Sequence, residues 1–138
     1  MRFENGALGT FLLSDTAASS KSWEMTAGEN LEYPYFADEN CYHFSGSRGS
    51  LDFPSMRIRS YAENSDRSWW QPFHTDQLSV EREDPLLAQL NNFVAAIRGK
   101  ELPLVTAYDG YQNMLVIEAI SRSIRENRIV DLTELEKF

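Results

Sequence analysis

Asp84-Pro85-Leu86-Leu87-Ala88-Gln89-Leu90-Asn91-Asn92-Phe93-Val94-Ala95-Ala96-Ile97-Arg98-Gly99 is the stretch in which the apolar pattern changes period. Asp84 suits an N-cap, and Pro85 suits the first helical position, where its missing N–H costs nothing. Leu86, Leu90, Phe93, Val94 and Ile97 then form one stripe, and Gly99 stops the turn. The pattern predicts a helix over 85–98. Upstream the period is two. In Met56-Arg57-Ile58-Arg59-Ser60-Tyr61, Met56 and Ile58 fall on one face and Arg57, Arg59 and Tyr61 on the other, as in a strand with one buried and one partly polar face. Strands first and helices afterwards predict an α+β domain: an open, mostly antiparallel sheet with helices packed on one face.

Downstream, a second helix is predicted from about Ala107 to about Asn127. Asp109 lies in its first turn, Tyr111, Met114, Ile117, Ile120 and Ile124 point inward, and Arg125 and Arg128 stand at its negative end. Residues 101–105 form a short extended crossing, Ile129–Leu132 a last short strand or a segment docked on the sheet, and Thr133–Phe138 a polar tail. Upstream, Cys41–Ser45 and Ser50–Phe53 read as a hairpin about Gly46-Ser47-Arg48-Gly49. Asn64-Ser65-Asp66 reads as a turn and Ser68–Phe73 as a further strand. Residues 16–40 are expected to be a long ordered loop with a short strand around Trp23–Ala27. Asn5-Gly6 suggests a type I′ turn between a strand at 1–4 and one at 7–15. The first of these is short for its partner, which fits either a natural edge strand or the end of a longer strand in a larger protein.

The chain of 138 residues carries 13 Lys+Arg against 21 Asp+Glu, a net charge of −8, and one such length is one domain. With 42% apolar and 12% aromatic residues it can build a core without disulfide or metal. Scattered cations in an acidic chain argue against nucleic acid, which is bound through clustered Lys and Arg. The apolar runs are too short for a membrane span. A lone Cys41 and no charged-then-apolar leader lead to the expectation of a reducing cytoplasm. No Gly-x-Gly-x-x-Gly follows a strand and opens a helix, because Gly46-Ser47-Arg48-Gly49 leads into a strand. Cys41, His43 and His74 lack the paired spacing of a zinc site, and no Gly-x-Ser-x-Gly elbow occurs. No catalytic, cofactor-binding or metal-binding residue is therefore assigned. The richest stretch is Ser14-Asp15-Thr16, Ser22-Trp23-Glu24 and Gly28-Glu29-Asn30. An indole face with carboxylates and an amide is the inventory of a sugar or polyol site, and the candidate substrate-binding residues are Trp23, Glu24, Glu29 and Asn30. The competing reading makes Trp23 a core plug and the acids solvated.

The string 84–103, followed by Tyr108-Asp109-Gly110-Tyr111-Gln112, Glu118-Ala119-Ile120-Ser121-Arg122-Ser123 and Arg128-Ile129-Val130-Asp131-Leu132, closely resembles the C-terminal domain of the glucose-fructose oxidoreductase / inositol dehydrogenase (Gfo/Idh/MocA) family. Phe3-Glu4-Asn5-Gly6-Ala7-Leu8-Gly9-Thr10 resembles that family's strand-turn-strand entry, and Phe44–Leu51 its central hairpin. The resemblance implies a dihydrodipicolinate-reductase-like C-terminal domain over 1–132, followed by the tail at 133–138. It also implies a partner Rossmann domain, absent from this chain, that holds NAD or NADP and the catalytic Glu-Lys-Pro lysine. Lys21, Lys100 and Lys137 stand in no Glu-Lys-Pro, so no catalytic residue carries over. By the same resemblance the substrate is a sugar, polyol or related hydroxy compound. The open sheet face makes a homo-oligomer, with large residues expected there among Phe11, Leu13, Phe44, Tyr61, Trp69 and Trp70. Two alternatives stand beside this one. The first is a stand-alone dimeric scaffold or small-ligand-binding protein that has lost the dinucleotide half. The second is an unrelated α+β enzyme using Asp15, Glu24 and Glu29. Since nothing here cradles a pyrophosphate, titration calorimetry of the chain with NADH is expected to show no saturable binding; tight binding would contradict the reading.

Overall fold

The structure, a computed structural model, describes residues 1–62 and 67–135. The chain divides into two compact units, Met1–Asp84 and Pro85–Phe138. The expected turn at Asn64-Ser65-Asp66 lies outside the described residues. Among the described residues, four strands and three α-helices make the α+β architecture that the change of period predicts.

In the first unit, β1 (Tyr42–Ser45), β2 (Gly49–Phe53), β3 (Arg57–Ser60) and β4 (His74–Gln77) form one sheet in that order, each neighbour antiparallel. The register sorts the residues. Pairs Tyr42↔Phe53, Phe44↔Leu51 and Leu51↔Ile58 line up one apolar face. Pairs His43↔Asp52, Asp52↔Arg57, Arg57↔Gln77 and Arg59↔Thr75 line up a polar one. Gly49 is required where β1 turns into β2: a Cβ there would stand 2.5 Å from the Arg59 carbonyl oxygen. Met56 precedes β3 with φ 54, so the alternation expected from Met56 begins one residue later, at Arg57.

Several expectations are corrected. The opening turn is not type I′. Gly6 alone is left-handed (φ 85), its N–H donates to the Phe3 carbonyl at 2.9 Å, and Phe3 N–H donates to the Ala7 carbonyl at 2.9 Å. The Asn5 side chain accepts the Ala7 N–H at 3.0 Å, which lets Asn5 satisfy the turn without a positive φ. Only the bridge Arg2↔Leu8 pairs the two arms, and no strand continues to Asp15. Trp23–Ala27 is a helix, α1, rather than a strand. Ser22 Oγ accepts the Met25 N–H at 3.3 Å and left-handed Gly28 closes the C-terminus, so a cap at each end overrides the local β preference. Ser68–Phe73 is a turn, with Gln71 N–H on the Ser68 carbonyl at 3.1 Å; Pro72 has no N–H for a ladder, and the strand starts at His74. Of the large residues expected on the open sheet face, only Phe44 lies in a strand, and it shares the Ile58 side.

In the second unit, α2 (Pro85–Ile97) and α3 (Ala107–Glu126) fall where the periodicity places them. α2 ends in a Schellman motif about left-handed Gly99, with Gly99 N–H on the Ala96 carbonyl and Lys100 N–H on the Ala95 carbonyl, each at 3.0 Å. Asn92 holds the extended crossing, accepting Leu104 N–H at 3.0 Å and donating to the Leu102 carbonyl at 3.2 Å. α3 begins in a capping box of Thr106 and Asp109. The expected strand at Ile129–Leu132 is instead a coil leading into a 3-10 turn, Leu132–Glu134, because Asp131 and Glu134 cap each other's backbone. That turn brings Leu135 against Leu115 and Ala119, with Val130 and Leu132 packed around them. The buried line of α3 is thus Leu115 and Ala119; Tyr111, Met114, Ile117, Ile120 and Ile124, expected inward, are exposed. The α2 stripe of Leu86, Leu90, Phe93 and Ile97 is exposed as well.

Since Leu135 is the apolar residue that the turn delivers to α3, Leu135→Ala is expected to cost about 2 kcal/mol in urea unfolding followed by helical circular dichroism. An unchanged midpoint would show that the Leu115–Ala119–Leu135 cluster does not hold the unit together.

Candidate functional site

Five residues long, α1 places Trp23 beside the apolar face of the sheet. Its indole stacks on Phe53 with centroids 5.2 Å apart and planes 23° off parallel, and it lies tilted to Tyr42 at 6.2 Å. Phe53 and Tyr42 are direct cross-strand partners, so the platform is made by the β1–β2 register itself. Gly28, left-handed at φ 64, reverses the chain after α1 and returns Glu29 to the indole. Trp23 Nε1–H donates to Glu29 Oε2 at 3.0 Å.

The four candidate residues are therefore divided. Trp23 and Glu29, both half-buried, are brought together, and among the described residues the second Glu29 oxygen accepts no hydrogen bond. Glu24 and Asn30 are exposed. The Asn30 side chain accepts the Glu32 N–H at 3.0 Å, and its carbonyl accepts the Tyr33 N–H at 3.3 Å, so Asn30 shapes the loop that follows Glu29. Upstream, Ser14 Oγ accepts the N–H groups of Thr16 at 3.2 Å and Ala17 at 3.0 Å, a local turn.

The sequence reading did not single out the charged cluster on the polar face of the sheet. Asp52 accepts from His43 Nδ1 at 2.9 Å and from Arg59 Nη1 at 2.7 Å, one on each oxygen. The signal was available in the turn length: Gly46–Gly49 sets 43 opposite 52, and β3 then brings Arg59 diagonally across. Among the described residues, no group of three or more His, Cys, Asp or Glu could hold a metal ion. Cys41, half-buried, lies with its sulfur 3.9 Å from the Phe53 carbonyl oxygen.

His43 and then Arg59, both hydrogen-bonded to the Asp52 carboxylate, hold its pKa below the usual carboxylate range. A depressed carboxylate pKa contributes stability that is present above the unfolded value of about 3.9 and lost as pH falls through the folded one. Acid unfolding of the native chain is therefore expected to steepen below about pH 4, and Asp52→Asn to flatten that dependence while costing about 1 kcal/mol at neutral pH. Superimposable acid-unfolding curves would show that the cluster carries no stability.

Residues 1–132 match the family model described as the oxidoreductase family, C-terminal alpha/beta domain. No curated protein and no solved structure matches the chain. The match covers the hairpin that builds the aromatic platform, the loop that carries Glu29 and both long helices, and so the chain belongs to the Gfo/Idh/MocA oxidoreductase family through its C-terminal domain.

Proposed function

We propose that this domain is the substrate-binding and oligomerisation half of an NAD(P)-dependent dehydrogenase acting on a sugar, polyol or related hydroxy compound. The observation that carries the reading is the Trp23–Glu29 couple on the Tyr42–Phe53 platform. An aromatic body suits the C–H face of a sugar ring, and a half-buried carboxylate with a free oxygen suits its hydroxyls. Exposed Glu24 follows Trp23 in sequence and adds a further acceptor, while Asn30 shapes the loop behind Glu29.

NAD(P), held by the family's Rossmann domain, supplies the hydride acceptor in the full-length enzyme. The described residues do not suit its pyrophosphate. The α3 N-terminus, where an anion could sit, is filled by its own Asp109, whose carboxylate accepts from the Thr106 N–H at 2.7 Å and its hydroxyl at 2.6 Å. This chain's part is then to bind and orient: Glu29 accepts a substrate hydroxyl and fixes its direction, while the aromatic cluster excludes water from one side of the ring.

Self-association through the open face of the sheet, giving a homo-oligomer, is part of the same proposal. No helix of the described residues is long and apolar enough to cross a membrane. One unpaired cysteine is compatible with a reducing cytoplasm as the place of action.

The test uses the chain with Trp69→Phe and Trp70→Phe, which leaves Trp23 as the one indole. Titration with myo-inositol or glucose is expected to shift Trp23 emission saturably, with a Kd on the order of millimolar, and Glu29→Gln to raise that Kd about tenfold. Emission unchanged up to about 100 mM of either compound, far above a millimolar constant, would remove the loop from the substrate site.

A further inference from the structure

Exposed Arg82 lies in the irregular segment that follows β4, flanked by Glu81 and Glu83. Its guanidinium carbon stands 4.4 Å from the centre of the Tyr35 ring, and its Nη2 donates to the Tyr35 hydroxyl. Tyr35 in turn covers Gly28. A Cβ on Gly28 would stand 2.9 Å from Tyr35 Cδ2 and Cε2 and 3.0 Å from Arg82 Nη1, so the three residues fill one another's space. Gly28 also needs its positive φ of 64 to end α1 and send the chain back toward the indole. The far end of the same loop is tied separately, by Phe36 N–H on the Met25 carbonyl at 2.8 Å.

Glu29 follows Gly28 directly, so whatever holds Tyr35 on Gly28 holds Glu29 at Trp23. We infer that Arg82 is a positioning residue for the substrate loop: by clamping Tyr35 onto Gly28 it fixes the Glu29 carboxylate against the Trp23 indole and so sets the affinity for a hydroxylated ligand. The inference rests on the proposed function and deepens it. Arg82 touches neither the indole nor the carboxylate in this arrangement. It acts through the ring, by charge over the π face and a hydrogen bond at the ring's edge, and these two contributions are separable by substitution.

The experiment again uses the chain carrying Trp69→Phe and Trp70→Phe, with Arg82→Gln and Arg82→Lys added in turn. Three quantities are read: acrylamide quenching of Trp23, Kd for myo-inositol and melting temperature. Arg82→Gln is expected to increase quenching and to raise Kd about tenfold, with a change in melting temperature of only a few degrees. Arg82→Lys, which keeps a cation for the ring face but loses the planar fork, is expected to fall between the two. Unchanged quenching and unchanged Kd in Arg82→Gln would overturn the inference and leave the site reading standing. A large fall in melting temperature, with quenching raised equally in both variants, would also overturn it, by assigning Arg82 to global stability. Failure of the parent to bind myo-inositol or glucose would instead overturn the site reading, and the quenching comparison would still decide whether Arg82 clamps the loop.

Discussion

One side chain fastens the long loop of the first unit to its sheet. Trp23 reaches down from α1 to stack on Phe53 and reaches sideways through its Nε1–H to Glu29, so a helix of one turn, a loop and a hairpin share a single indole. Each of those elements is weak alone. A five-residue helix is below the length at which hydrogen bonding sustains itself, and the β1–β2 hairpin is half-exposed. The indole contributes apolar area to both and satisfies its one polar atom on a carboxylate rather than leaving it buried and unpaired. The candidate site inherits its geometry from this: Glu29 stands where it does because the indole needs an acceptor.

The sheet divides its chemistry by face. Tyr42, Phe44, Leu51, Phe53 and Ile58 make one side a continuous apolar strip, and Trp23 lies against its Tyr42–Phe53 end. The other side carries Asp52 with His43 and Arg59, an arrangement in which both carboxylate oxygens are engaged by charge-assisted bonds. Arg57 shares that side, directly beside Asp52 in the register, and among the described residues it makes no ion pair. The expectation of large apolar residues on an open sheet face does not survive in detail, because Phe11, Leu13, Trp69 and Trp70 fall outside the strands.

What the sequence made legible is the part governed by long periodicity. The two helices span enough turns for their stripes to show, Pro85 and Gly99 mark one, and Asp109 marks the first turn of the other. The hairpin from Tyr42 to Phe53 is bounded by a turn with a glycine at each end. Short elements are not legible because their identity is decided by single side chains. Ser22 and Gly28 convert an aromatic, strand-like pentapeptide into α1, and the reciprocal bonds of Asp131 and Glu134 convert an apolar tetrapeptide into the approach to a 3-10 turn. The buried stripe of α3 is illegible for a related reason: both stripes are apolar, and only the position of Leu135 shows which one is covered. In the site, the residue types were readable and their convergence was not. Trp23 and Glu29 meet through a left-handed glycine between them, whereas Asn30, one residue further on, turns its amide to its own loop.

The indole of Trp23 and the carboxylate of Glu29 act as one unit, and a double-mutant cycle measures this directly. Urea unfolding of the chain, of Trp23→Phe, of Glu29→Gln and of the pair together gives the coupling between the two side chains free of what each contributes elsewhere. A half-buried hydrogen bond to a charged acceptor predicts a coupling of about 1–2 kcal/mol. A coupling of zero, with the two single losses simply adding, would show that the indole and the carboxylate stand side by side without holding each other, and that the loop is not fastened in the way described.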